Sequence, residues 1–213
     1  MLIYVASALI LMPYIIYFFN ILINKDKKVT DDNGFNVTKD IVSSYDKINI
    51  IETTGLVTYY NPKRKVIKLN SKCYYGSNLS VIAISLLEAG ISVTDNKKNK
   101  YLKIFKVLFS NLKLLYIFPL IICFINTQVY ELYDAVVGLI LVILCTTITY
   151  MFNNIIILSF DWVSNNIEKV KSISKRNKEL VINYIKNIVF MNRFIFFGEL
   201  LIIIRMVAII ISK

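Results

Sequence analysis

Along the chain, long apolar blocks alternate with polar, base-rich stretches. The first block, Leu2–Ile23, holds 22 residues without a charge, enough at about 1.5 Å per residue to cross a hydrocarbon core of about 30 Å. No Lys or Arg precedes it and no small-x-small cleavage site follows before Lys25, so it reads as a retained anchor and not as a cleaved leader. Three further blocks follow at residues 114–129, 135–160 and 194–211. The short stretch 126–134, with Glu131 and Asp134 but no base, separates the second block from the third as a tight hairpin. The pattern predicts four transmembrane helices.

The polar region between the first two blocks predicts a small α+β part. Residues 35–45 suit a short helix with Thr38 as its cap, and residues 48–51 a strand. Residues 56–60 are β-prone. Asn61, Pro62, Lys63 and Arg64 make a turn, and Lys65 to Asn70 alternate apolar with polar, which together predict a β-hairpin. Residues 76–92 are apolar with Ser77, Ser80, Ser85 and Glu88 interspersed, the pattern of a buried amphipathic helix with one acid.

Composition agrees with the membrane reading: 56% of the 213 residues are hydrophobic, with only six Gly. The net charge of +11 changes the picture through its distribution. Residues 24–113 carry 16 Lys and Arg and residues 161–193 carry seven; the hairpin and the N-terminal block carry none. Bases beside spans stay cytoplasmic, so both basic segments are predicted inside the cell and both termini outside. Contact with anionic headgroups accounts for the charge, and no nucleic-acid motif accompanies it. Cys73, Cys123 and Cys145 are too scattered for a disulfide framework or a zinc knuckle; they read as buried small hydrophobes.

The order Tyr60-Asn61-Pro62, a basic turn, a strand ending in Leu69-Asn70, Tyr74-Tyr75-Gly76, then Leu87-Glu88-Ala89-Gly90-Ile91 resembles the bacterial membrane neutral zinc metallopeptidases of the YugP-like family. In that family a His-Tyr-Asp-Pro turn leads to a Val-Val-x-Leu-Ser strand and a Tyr-Asn-Gly. A His-Glu-x-Gly-His helix follows eleven residues past the Gly, the spacing from Gly76 to Leu87 here. The resemblance covers residues 1–213 in layout and is specific over 55–92. It implies a mostly α, multi-pass membrane protein whose α+β part is zincin-like and contains the former active-site helix.

Where the chain departs from the family, the departure falls on the chemistry. A zincin places two His at i and i+4 so that both imidazoles reach one zinc, with the intervening Glu acting on the metal-bound water. Leu87 and Ile91 stand at those two positions, Ser159 stands where the family's Pro-x-Glu-Phe-Asp has its third ligand, and the chain contains no His at all. The resemblance therefore implies zinc in the family and no cofactor here. Glu88 becomes a vestigial general base, Leu87 and Ile91 become filling for the former metal cavity, and Tyr59, Tyr60, Asn61 and Gly90 line a former peptide cleft. Tyr59, at a family His position, could reach Glu88 or simply pack on a strand.

Glu199 and Arg205 lie within the last apolar block. An ionised side chain there costs about 2.5–3.5 kcal/mol on insertion scales, so each should face the bundle interior or an interface. Six residues apart on a helix, they are not each other's natural partners; Asn153 or Asn154 of the third block are candidate partners. Three functions are weighed. A pseudopeptidase would bind peptide or membrane-protein partners in the old cleft without cleaving them, by main-chain pairing along a sheet edge. An active metallopeptidase would need atypical ligands. A small transporter or channel component would use Glu199 and Arg205.

Overall fold

The computed structural model describes residues 2–45, 48–96, 99–108, 112–129 and 131–212. Its elements run α1 (Leu2–Ile23), α2 (Gly34–Val42), β1 (Asn49–Thr53), β2 (Tyr59–Asn61), β3 (Val66–Asn70), α3 (Ser71–Tyr75), α4 (Leu79–Asn96), α5 (Lys100–Leu108), a 3-10 helix (Leu112–Ile117), α6 (Phe118–Gln128), α7 (Leu132–Asn166), a second 3-10 helix (Ile167–Lys169) and α8 (Lys175–Ile211). The chain is mostly helical with one three-stranded sheet. It packs as two compact units, one of Met1–Phe18, Leu114–Asn153 and Phe190–Lys213, the other of Phe19–Lys113 and Asn154–Val189.

Among the described residues, three helices are long and apolar enough to cross a membrane: Leu2–Ile23, Leu132–Lys169 and Lys175–Ile211. Only 17% of the most apolar stretch of α1 is buried against protein, and side chains such as Tyr4, Phe124, Ile140, Leu144 and Phe197 point outward. The first unit therefore has a thin core, built from Ala6, Ile10, Ile122, Cys123, Ala135, Val142, Ile202 and Met206, and an apolar exterior suited to a hydrocarbon solvent. The predicted second span is shorter than expected. Pro119 stands at the start of α6, where its missing N–H costs no bond, and the preceding turn is 3-10. Eleven residues of α6 reach only about 16 Å. Tyr130, in the predicted hairpin, lies outside the described residues.

In the second unit α4 is the centre. From Leu79 to Thr94 every residue but Ile84 is buried, with α2, α3, β2 and β3 packed around it. Each fully buried Leu or Ile contributes about 1.5–3 kcal/mol, so α4 is held by protein on every face. The predicted hairpin forms: β2 and β3 pair antiparallel, with Tyr60 opposite Ile67. Lys65 adopts φ 52° in closing the turn, which delays the second strand to Val66. The predicted strand at 48–51 appears as β1 and adds parallel to β3, giving the order β1-β3-β2.

The cap of α2 differs from expectation. Asn33 sits at the N-cap and its Oδ1 accepts the Asn36 N–H at 2.8 Å. Thr38 is wholly buried inside the helix, because Gly34, Val37, Thr38, Ile41 and Val42 form the stripe that faces the core. Asn70 and Asn78 cap α3 and α4 in the same way, accepting the N–H groups of Cys73 and Val81.

Candidate functional site

Two elements bring the sequence-predicted residues together. Gly90 lies one turn past Leu87 on α4 and directly before Ile91. A Cβ on Gly90 would stand 2.7 Å from the Ser159 carbonyl oxygen and 3.0 Å from Val163 Cγ2. The glycine thus allows α7 to cross α4 in backbone contact, with Ser159 and Val163 against Gly90. All three of Leu87, Ile91 and Ser159 are buried, and the Ser159 hydroxyl donates to the Ile155 carbonyl one turn back at 2.7 Å.

Those residues do not fit zinc. Two aliphatic side chains offer no lone pair, and the one hydroxyl is spent on its own helix. Among the described residues no group of three or more His, Cys, Asp or Glu could hold a metal ion.

Glu88 projects from the side of α4 nearly opposite Gly90, toward the sheet. It is the backbone N–H of Tyr60, next along the chain from Tyr59, that donates to its Oε2, at 2.7 Å. Burial is the larger influence on Glu88 and pushes its carboxyl up to about 8, against the Tyr60 N–H bond, which favours the charged form. Two turns further along α4, Asp95 accepts the Tyr60 hydroxyl through Oδ2 at 2.7 Å. One residue of β2 is therefore fixed to α4 at both its backbone and its phenol. Burial and the Asp95 carboxylate both hold that phenol well above its ordinary range.

Tyr59 and Asn61, expected to line a cleft, lie in and beside the hairpin and outside the lining of the one cavity described below. Tyr59 is buried, with the Lys68 ammonium 5.6 Å from its ring centroid. Asn61 Oδ1 accepts the Arg64 N–H at 3.1 Å and shapes the turn. β2 is the outer strand next to β3, and at Tyr60 its outward N–H is already bonded to Glu88.

Sequence reading did not foresee the open space beside this crossing. A cavity of about 550 Å³ begins at Thr94, one turn past Ile91, and is walled by Asn99, Tyr101, Asp161, Trp162 and Asn166 among others. The signal lay in the sequence as polar and aromatic residues near the ends of α4 and α7. The close approach of α7 to α4 at Gly90 helps bring them to one wall.

Glu199 and Arg205 take separate partners, as their phase predicts. Thr149 Oγ1 donates to Glu199 Oε1 at 3.0 Å; Arg205 donates to the Asn126 carbonyl at 2.7 Å, to Asn126 Oδ1 at 3.0 Å and to the Val129 carbonyl at 2.7 Å. Asn153 lies one turn from the expected role: its Nδ2 donates to the Asn192 carbonyl at 3.2 Å.

Three long apolar helices among the described residues, together with a compact unit built around the buried, glutamate-bearing α4, define a mostly helical chain with a small sheet and spans suited to a membrane. Residues 1–179 match the family described as "Putative neutral zinc metallopeptidase", and the chain belongs to that family. Neither the curated proteins nor the solved structures yield a significant match.

Proposed function

We propose that this chain is a catalytically inactive pseudopeptidase of the membrane, which holds a peptide or a segment of a membrane-protein partner without hydrolysing it. The observation that carries the reading is the state of Glu88. A general base of this family type needs a metal-bound water before it; here its flanking positions are Leu87 and Ile91 and its Oε2 is bonded to the Tyr60 N–H. A zincin-like layout around α4 is consistent with Gly90 and Ser159 meeting at the helix crossing. The cavity between Thr94 and Asp161 suits the partner better than the β2 edge, since pairing at Tyr60 would first require Glu88 to leave.

In this reading the chain crosses the cell membrane four times, the 3-10 turn at Leu112–Ile117 and α6 together supplying the second crossing. At about 2 Å per 3-10 residue and 1.5 Å per α residue the pair reaches about 28 Å. Residues 24–113 and 161–193 lie on the cytoplasmic side.

The test is zinc content of the detergent-purified protein by elemental mass spectrometry, beside the double variant Leu87→His, Ile91→His. The natural protein is expected to carry less than about 0.1 zinc per chain, and the variant to rise toward one. Near-stoichiometric zinc in the natural protein would overturn the proposal.

A further inference from the structure

The first unit buries a carboxyl that the peptidase reading does not use. Glu199 is wholly buried. Its Oε1 accepts from Thr149, and its Oε2 has no hydrogen-bond partner. On α7, Thr149 faces it, and Thr146, three residues earlier on the same helix face, is buried as well. Thr146 Oγ1 is also without a partner, whereas Thr147, on the outer face, bonds back to the Ile143 carbonyl. A turn beyond Thr149, Asn153 donates to the Asn192 carbonyl while its Oδ1 stands unpartnered and buried. The pairs Thr149–Glu199 and Asn153–Asn192 run antiparallel, so the oxygens of Thr146, Thr149, Glu199 and Asn153 follow one another along a single α7–α8 seam.

Helix packing closes over this seam, and among the described residues no ion pair reaches Glu199. At Gly198 a Cβ would stand 2.8 Å from Ile10 Cγ1 and 3.0 Å from the Ala6 carbonyl, so α1 closes on α8 beside Glu199, a close approach of the kind small residues permit in membranes. Tyr14 and Cys145 lie within electrostatic range of Glu199, and neither supplies a positive charge. Arg205, on the same helix, is committed to Asn126 and Val129. A buried carboxyl oxygen with no donor is costly. Hard, mostly neutral oxygens around one carboxyl match a singly charged alkali ion; Ca²⁺ and Mg²⁺ take oxygen ligands at higher count or stricter geometry.

We propose that Glu199, with the hydroxyls of Thr146 and Thr149, forms a Na⁺ site within the α1–α7–α8 bundle. The full chain, purified in detergent at mildly alkaline pH, is unfolded thermally in NaCl and in choline chloride at equal ionic strength. Na⁺ is expected to raise Tm by about 3–6 °C once it is roughly tenfold above its dissociation constant. Glu199→Gln abolishes that increment. Thr146→Val, which keeps the carboxyl and the shape of the side chain, reduces it even where the Gln variant fails to fold. Equal Tm values in the two salts for the natural protein would overturn the site and assign Glu199 as a neutral carboxyl held by Thr149 alone. So would a Na⁺ increment undiminished in both variants.

Discussion

Glu88 and Gly90, two residues apart, point to nearly opposite sides of one helix and meet opposite demands. Burial at Glu88 favours the neutral carboxyl, raised to about 8, so the group binds a proton more tightly in the folded chain than in the unfolded one. Its stabilisation is complete below the ordinary carboxylate range and is lost as pH rises through the folded value. Thermal unfolding between mildly acidic and mildly alkaline pH should therefore show Tm falling with pH, and Glu88→Gln should flatten that fall, because an amide oxygen can still accept the Tyr60 N–H. Gly90 fails by geometry. A methyl there meets the backbone oxygen of Ser159 at 2.7 Å, which cannot swing aside as a side chain could. Gly90→Ala is expected to cost about 1–3 kcal/mol by chemical denaturation, while the same change at exposed Gly55, where the nearest atom is 3.6 Å away, should cost far less. At this scale the sequence marked Leu87, Glu88, Gly90 and Ile91 through their spacing within the helix, and the structure places all four in the buried centre of the second unit. It could not show that Glu88 answers to the backbone of Tyr60 instead of a side chain, since that bond joins groups 28 residues apart.

Elements differ in how far local pattern decides them. The β2–β3 hairpin was legible because Pro62 and the alternation after it act within a few residues. Its parallel neighbour β1 could be foreseen as a strand but not as a partner of β3, because parallel pairing is set by packing across a long connection. Asn33, directly before α2, was the available cap signal, and Thr38 belongs to the buried stripe. In the apolar block 114–129, hydropathy hid the helix start that Pro119 marks. Within that shortened element, α6, the carbonyls of the last turn have no intrahelical partner, and Arg205 supplies donors to Asn126 and Val129 at the negative end of the helix dipole. Asn126 in turn donates to Ser7 Oγ at 3.3 Å, so α1, α6 and α8 share one polar tie. Arg205→Leu should destabilise by about 1–3 kcal/mol for each carbonyl left unsatisfied. Hydrogen exchange in nanodiscs should rise first in the last turns of α6. Arg205→Lys should restore this only in part, since an ammonium lacks the planar fork that reaches two carbonyls at once.

At the scale of the molecule, α7 with 35 residues and α8 with 37 are each longer than a bilayer needs. At about 1.5 Å per residue they exceed 50 Å, against a hydrocarbon core of about 30 Å. The residues in excess fall at the C-terminal part of α7 and the N-terminal part of α8, within the second unit, where the sequence also concentrates Lys and Arg. Hydropathy alone could not separate these parts, because one helix serves as apolar surface in one unit and as core in the other. Charge could, and it yields a sidedness that can be checked directly. With four crossings, positions 63 and 171 share the cytoplasmic side and position 133 lies opposite. Cysteines introduced singly at these positions should behave accordingly: a membrane-impermeant maleimide added to intact cells should label the one at 133, and those at 63 and 171 only after lysis. The native Cys73 and Cys123 are buried and should contribute little background. Labelling of all three in intact cells would reject the shared cytoplasmic side. If 63 and 171 reacted differently from one another, the number of crossings between them would be odd, and the short 3-10 and α6 pair would not cross.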